Sequence, residues 1–344
     1  MRERSSIKDK ILRIIEEAGP RGVSQREIVY ITGSSKGYVS DVIDELERRG
    51  LVIRYRGPGR IVFVRHAKYV HPLTGRRIRI GFVRASEYIF MPDMIEGLKD
   101  LGFTTEVVLF DNVFDVARSI SRGEIHMGMI PIYTQIGYRA YGAPIKMIPG
   151  GALGGGFLAS LEDVEDIASK HDKVIIATSP LSTMEILSHS IMRSMRISYE
   201  IGYYKNPREV IEKLSSGSAH AASLWEPYAS ESSRALKNIK IRSYREILGE
   251  YHCCTLAVHE NLVQGLYDEI LKIYIESLER SRKNMDRAVE RYSNMINTDI
   301  NVLRKSIREY EYRDYIDPKI IGRIIRMGGG YMISEDILRD LMIS

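Results

Sequence analysis

The 344-residue sequence has little that is typical of an exported or membrane-bound protein. Its only two cysteines are neighbours, Cys253 and Cys254. Adjacent residues of a β-strand point to opposite faces, so this pair is poorly placed to form a disulfide, and we expect reduced thiols. No apolar run is long enough for a transmembrane helix, and the charged N-terminus has no apolar signal region. These absences predict a cytoplasmic protein without a membrane partner.

Motifs for catalysis and metal binding are also missing. The glycine-rich run 150–156 lacks the Gly-Lys-Ser/Thr ending of a phosphate-binding loop, so it is more typical of a hinge or crossover. His252, Cys253 and Cys254 are consecutive, and because a strand alternates sides we do not expect them to chelate a metal together. No nucleophile–base pair or paired-histidine motif is evident. We therefore expect no metal, no cofactor and no enzymatic activity.

The first 66 residues contain a complete pattern of three helices and two strands. Ser24 and Glu27 form a capping box that opens the second helix, and Gly33 supplies a tight turn. A third helix is predicted over about 35–49, followed by two strands around Gly57-Pro58-Gly59. This order resembles the winged helix-turn-helix heads of bacterial and archaeal transcription regulators. The resemblance implies a DNA-binding domain over residues 1–66.

Charge favours double-stranded DNA as the partner of this head, although some winged helices are protein-interaction modules. The head has 14 Lys and Arg against 9 Asp and Glu, a net charge of +5, whereas the remainder has 36 of each. Phosphate neutralisation requires such an excess. The N-terminal end of the third helix enters the major groove in these folds, and the wing can reach phosphates or the minor groove. The predicted DNA-binding residues are Ser35, Lys36, Tyr38, Ser40, Arg56 and Arg60.

Beyond a basic linker at 67–77, strand and helix patterns alternate in units of about 20 to 25 residues, which predicts right-handed crossovers and a largely parallel sheet. The alternation restarts near residue 173, and the chain becomes mainly helical after residue 262. Helices are predicted over 262–295, 300–311, 318–327 and 334–342. The body is therefore predicted to be an α/β structure with two alternating halves.

Four segments of the body resemble one known fold: Ile80-Gly81-Phe82, Ser121 to Gly128, Gly142 to Lys146 and Ala222 to Tyr228. They are similar to the type II periplasmic-binding fold. The relevant branch contains aliphatic-sulfonate, taurine and thiamine-pyrimidine-precursor binding proteins and related pyrimidine synthases. The resemblance implies a two-lobed ligand-binding domain over 78–344. Lobe one would comprise 78–154 and 251–344, and lobe two 155–250.

A ligand is expected at the carboxyl ends of the strands, between the lobes. Arg84 can pair with an acidic group there or with an internal carboxylate. Trp225 can stack on a planar ring or belong to the core. A sulfonate, a carboxylate and an aminopyrimidine all fit these residue types, and the number of aromatic residues favours a small heterocycle. The predicted ligand-binding residues are Arg84, Tyr88, Asn112, Tyr133, Thr134, Ser179, Ser182, Thr183, Trp225 and Glu226.

Head and body together predict a cytosolic, ligand-responsive transcription regulator. We expect a homodimer on a palindromic operator, with a small polar or heterocyclic metabolite as the effector. Closure of the cleft would change the relative placement of the two heads. An enzyme of thiamine-pyrimidine or related cofactor metabolism is the first alternative. A solute-binding protein of a transporter is the second.

Overall fold

A computed structural model describes residues 6–19, 22–49, 51–56, 61–66, 77–329 and 341. Several predicted features lie outside these residues: the Gly-Pro-Gly tip at 57–59, Arg60, the linker at 67–77 except Arg77, and the helix at 334–342 except Leu341. The side chain of Arg56 also lies outside the description, although the backbone of this residue belongs to a strand.

The head has the predicted order of elements, and side-chain caps determine where its helices begin. Ser6 and Asp9 form a capping box, as do Ser24 and Glu27, and Ser35 caps the third helix. Gly33 ends the second helix in the left-handed conformation, at φ 68°. The elements are α1 Ile7–Glu17, β1 Val23–Ser24, α2 Gln25–Thr32, α3 Lys36–Arg48, β2 Val52–Arg56 and β3 Val62–His66.

An apolar core joins the three helices of the head to a sheet of order β1-β3-β2. Val39, Val42, Ile43 and Leu46 are buried along one side of α3, as their helical spacing predicts. In α2, Ile28 is buried and Ile31 is half-exposed, so only part of the apolar side of that helix faces the core.

The first sheet of the body has the order β5-β4-β6-β14-β7. Four of its strands run in one direction, and β14 runs against them because it returns from the other lobe. The predicted parallel character therefore holds for all but the crossing strand. The elements are β4 Arg77–Val83, α4 Met91–Asp100, β5 Thr104–Phe110, α5 Val113–Ser121, β6 Met127–Pro131, α6 Ile132–Ala140, β7 Ile145–Ile148 and β14 Cys254–His259.

The second sheet repeats this plan with the order β11-β10-β12-β9-β13, and here β9 is the strand that runs against the others. Its three central strands are almost wholly buried, whereas the edge strands β11 and β13 are partly exposed. The elements are β9 Gly156–Ser160, α7 Val164–Lys170, β10 Val174–Thr178, α8 Thr183–Ser194, β11 Tyr199–Tyr203, α9 Glu209–Ser215, β12 Ala221–Trp225, α10 Tyr228–Ala235, β13 Lys240–Ser243 and α11 Tyr244–Leu248.

The glycine-rich run does more than join the lobes, because β8 Gly151–Gly154 forms a ladder with β15 Tyr310–Arg313. Gly155, at φ 77°, follows this ladder, and a Cβ there would collide with the Tyr310 ring. The prediction of a helix through 300–311 was therefore wrong at its end, where β15 pairs with the crossover. The predicted helix 262–295 is interrupted at Asn284. The C-terminal helices are α12 Glu260–Lys283, α13 Met285–Ile296, α14 Ile300–Ser306 and α15 Pro318–Met327.

Candidate functional site

The N-terminal end of α3 is the exposed surface of the head that was predicted to bind DNA. Ser35, Lys36 and Tyr38 are exposed there, and Ser40 is partly buried. The Ser35 hydroxyl accepts a hydrogen bond from the Tyr38 backbone N–H at 3.2 Å, and Gln25 of α2 donates to the Lys36 carbonyl at 3.2 Å. These two bonds fix the start of α3 relative to α2 while leaving its side chains accessible.

Most acidic residues of α3 are neutralised inside the head. Arg54 of β2 forms ion pairs with Asp44 and, at 2.6 Å, with Glu47, and Lys8 of α1 pairs with Glu45. The repulsion that these carboxylates would exert on a nucleic acid is thereby reduced. Three of the four acidic residues of α3 are thus paired within the head, whereas Asp41, the one nearest to Lys36, is exposed.

The second candidate site is a cavity of about 20 Å³ between the lobes, enough for one water molecule. It lies at the carboxyl ends of β4, β6 and β12 and at the N-terminus of α8, where a parallel α/β sheet is expected to bind ligands. Four of the predicted ligand-binding residues line it: Tyr88, Ser182, Thr183 and Trp225. Residues that end β4, β6 and β12 and residues that begin α8 therefore meet at one cavity.

Arg84 is engaged within the protein. Its guanidinium forms two hydrogen bonds with the Glu231 carboxylate, one of them at 3.0 Å, and a third with Thr298 Oγ1 at 2.8 Å. Since Glu231 lies in α10 of the second lobe, this ion pair joins the two lobes. The internal-carboxylate alternative for Arg84 is the arrangement observed.

Trp225 also connects the lobes. Its indole Nε1 donates to the Arg84 carbonyl at 3.0 Å, and its ring packs edge-on against Tyr228 at a centroid distance of 5.3 Å. The side chain is 7% exposed, so it is nearly covered and still lines the cavity. The Ser86 backbone N–H donates to the Glu226 carbonyl at 2.8 Å alongside it. Main-chain and side-chain bonds thus both hold the cleft closed.

The other predicted ligand-binding residues lie near the cavity without lining it. Asn112 caps α5 by accepting from the Asp115 N–H, and Thr134 donates to the Leu181 carbonyl. Glu226 accepts from Ser230, and burial raises the pKa of its carboxyl. The hydroxyls of Tyr133 and Ser179 are buried without a hydrogen-bond partner among the described residues.

Three residues that were not predicted form the floor of the cavity: Glu87, Cys253 and Cys254. The Cys254 backbone N–H donates to Glu87 Oε1 at 3.1 Å, and the two sulfur atoms are 3.5 Å apart. Burial raises the pKa of Glu87 to about 8. The expectation that the cysteines point to opposite faces was wrong, because β14 begins at Cys254 and Cys253 precedes it, where strand alternation does not apply.

His252 is directed elsewhere, since its Nε2 accepts from the Asp317 backbone N–H at 2.9 Å. Glu87 was hard to find in advance because it is one of 45 acidic residues and belongs to no recognisable motif. It is placed by the 3₁₀ turn Ser86–Tyr88 directly after β4. The only signal in the sequence was its position just after the predicted first strand of the body, where ligands are expected.

Comparison with known proteins gives separate results for the two parts of the chain. Residues 10–60 match the MarR family. No curated protein matches the sequence. Within the described residues, no helix combines the length and apolarity needed to cross a membrane.

The body is similar in structure to solute-binding proteins. The ligand-binding component of an ABC-type import system from Staphylococcus aureus, solved with zinc bound, has a TM-score of 0.67 at 17% identity, covering 78% of this chain and 96% of its own. The periplasmic aliphatic sulphonate binding protein SsuA from Escherichia coli has a TM-score of 0.57 at 13% identity, and the match covers 74% of this chain and 86% of that protein. The alkanesulfonate-binding protein SsuA from Xanthomonas axonopodis, bound to MOPS, has a TM-score of 0.58 at 10% identity, and the match covers 76% of this chain and 97% of that protein. The chain thus joins a MarR-family helix-turn-helix domain at residues 10–60 to a body with the fold of two-lobed periplasmic binding proteins.

Proposed function

We propose that this protein is a cytoplasmic transcription regulator whose binding to DNA is controlled by a small molecule in the interlobe cleft. One observation carries the proposal: a MarR-type head that holds the entire net positive charge of +5 is fused to a two-lobed body with an internal cleft. Such a fusion pairs a nucleic-acid surface with a part that can change shape on binding a ligand. The division into a head at 1–66, a linker at 67–77 and a body at 78–344 belongs to this proposal.

In this proposal Lys36 and Tyr38 contact DNA from the start of α3, and Arg56 and Arg60 contact the backbone from the wing. A homodimer presents two heads to half-sites one helical turn apart. Opening or closing of the cleft changes the separation of the heads, so ligand and DNA affinities are coupled.

The lining of the cavity supports an effector other than a sulfonate. Within the described part of the chain, no lysine, arginine or histidine lines the cavity, and Arg84 is already paired with Glu231. An anion in this place would lack a compensating charge. The described cleft therefore favours a neutral or cationic ligand.

The regulator proposal is tested by selecting DNA from a random pool with the full-length protein and measuring affinity by fluorescence anisotropy over a range of salt concentrations. We expect Lys36→Ala to weaken binding to all sequences and to reduce the salt slope by about 1. Lys319→Ala, on the exposed surface of α15, is the matched control and should leave the affinity unchanged.

Absence of DNA binding even at low salt would refute the regulator and favour a protein-interaction role for the head. Sedimentation of the complex reports whether two chains bind one DNA. Mass spectrometry of small molecules retained by natively purified protein tests the effector, and a retained solute that leaves DNA affinity unchanged would contradict the coupling.

A further inference from the structure

Glu87, Cys253 and Cys254 bring three metal-binding atoms together on the floor of the cleft. Of the His, Cys, Asp and Glu side chains within the described residues, these form the one group of three whose donor atoms all lie within 4.8 Å of one another. The Sγ atoms are 3.5 Å apart. A tetrahedral ion with Zn–S bonds of about 2.3 Å places two sulfurs about 3.8 Å apart. The two thiols therefore already have nearly the spacing that one shared ion requires.

The surrounding structure holds these donors in place. The Tyr312 hydroxyl donates to the Glu87 carbonyl at 2.9 Å, and the Cys254 N–H donates to Glu87 Oε1 at 3.1 Å. The Tyr88 hydroxyl donates to Cys254 Sγ at 3.2 Å, a contact of the kind that orients a metal ligand from outside. Glu87 follows β4, the first strand of the first lobe, and the two cysteines lie at the start of β14, where the chain returns to that lobe.

The size and the lining of the cavity indicate which class of ligand it can hold. Its volume of about 20 Å³, enough for one water molecule, also has room for a single ion. The residues around it include two cysteines, a glutamate and the hydroxyl-bearing Ser182 and Thr183, and Met184 lines it on the side of the second lobe. Sulfur donors favour soft and borderline metals over Mg²⁺ or Ca²⁺.

We infer that Glu87, Cys253 and Cys254 bind a divalent metal ion of borderline softness, for which Zn²⁺ is the reference. Two thiolates and one carboxylate carry three negative charges, and a buried group of anions is stable only with a compensating cation. A divalent ion compensates more of this charge than Cu⁺ does. On binding, the two thiols and the Glu87 carboxyl release their protons to solvent, and the two sulfurs and one carboxylate oxygen each donate a lone pair to the ion.

This inference deepens the proposed function, because it identifies the ligand class of the same cleft, and it rests on that proposal only for its regulatory consequence. Thr183, at the start of α8, donates to the Cys253 carbonyl at 3.3 Å, so the metal-binding segment contacts the second lobe directly. An ion that orders Cys253 therefore stabilises the closed arrangement of the lobes.

The test uses the full chain, purified under a reducing, oxygen-free atmosphere, and Co²⁺ as a spectroscopic stand-in for Zn²⁺. We expect thiolate-to-cobalt charge-transfer absorption that saturates at one ion per chain and disappears when Zn²⁺ is added. Cys253→Ser and Cys254→Ser should each lower the affinity for Zn²⁺ by more than about 10-fold, the lower end of what loss of a supporting contact costs. Glu87→Gln should lower it while the sulfur absorption remains.

Glu185→Gln is the matched control, since this buried carboxylate of α8 does not belong to the group of three, and it should bind the metal as the parent does. If serine at 253 or 254 prevents folding, alanine keeps an apolar side chain there without a donor. Absence of the sulfur absorption in the parent, or its persistence when both cysteines are alanine, would overturn the metal site. A chain that binds Co²⁺ but no DNA would refute only the regulator, and one that binds DNA without this absorption would refute only the metal site.

Discussion

Breaking the Arg84–Glu231 ion pair should open the cleft, and Trp225 provides a direct measurement. Glu231→Gln removes the charge that Arg84 faces across the lobes while preserving the shape of the side chain. The side chains are 14% and 32% exposed, which places the pair between a surface and a buried one. Surface pairs contribute up to about 1 kcal/mol, and breaking buried ones costs about 3 to 5 kcal/mol. For this intermediate pair we expect a loss of about 2 kcal/mol, which shifts the equilibrium from the closed toward the open form by a factor of about 30.

Trp225 is the only tryptophan of the protein, so fluorescence reports this part of the cleft alone. Its indole donates to the Arg84 carbonyl and is nearly covered in the closed form. In Glu231→Gln we expect red-shifted emission and stronger quenching by acrylamide than in the parent. Glu276→Gln, in an exposed pair on α12, should behave as the parent does. Unchanged emission and quenching in Glu231→Gln would show that this ion pair does not hold the lobes together.

Two further predictions concern stability. Gly155→Ala should lower the free energy of unfolding, measured in urea, by about 3 kcal/mol, because a left-handed residue acquires a Cβ that meets the Tyr310 ring. Gly137→Ala, in open space on α6, should not lower the free energy of unfolding. Equal stability of the two variants would refute the packing argument. Ser24→Ala should destabilise the head by about 1 kcal/mol, because the capping box with Glu27 is lost; a thermal unfolding profile identical to that of the parent would contradict this.

Elements whose boundaries depend on local signals were predictable from the sequence. The caps at Ser24, Ser35, Asn112 and Ser182 all accept hydrogen bonds at helix N-termini, because a side-chain oxygen next to free N–H groups needs no distant partner. The helix Pro318–Met327 has the predicted limits, with Asp317 as its cap. The resemblance to a two-lobed fold predicted that the ends of several strands meet in one cleft, because parallel strands end at the same edge of a sheet.

Features that depend on distant partners were not predictable. The first two residues of β15, Tyr310 and Glu311, were assigned to a helix because the pairing of this strand with the glycine-rich β8 involves residues more than a hundred positions away. The internal partner of Arg84 was one of two alternatives until α10 was placed beside it. The proximity of Cys253 and Cys254 required knowledge of the residue at which β14 starts, and the role of Glu87 required the turn after β4.

The position of β14 has a consequence for synthesis of the protein on the ribosome. This strand fills the space between β6 and β7, yet it is made only after the entire second lobe. Until then the nascent first lobe has two unpaired strand edges, which are sites of aggregation and of chaperone binding. The head needs only local contacts and can fold long before. We therefore expect emerging chains to pass through a stage in which the MarR-type head is folded while the sheet of the first lobe is still incomplete.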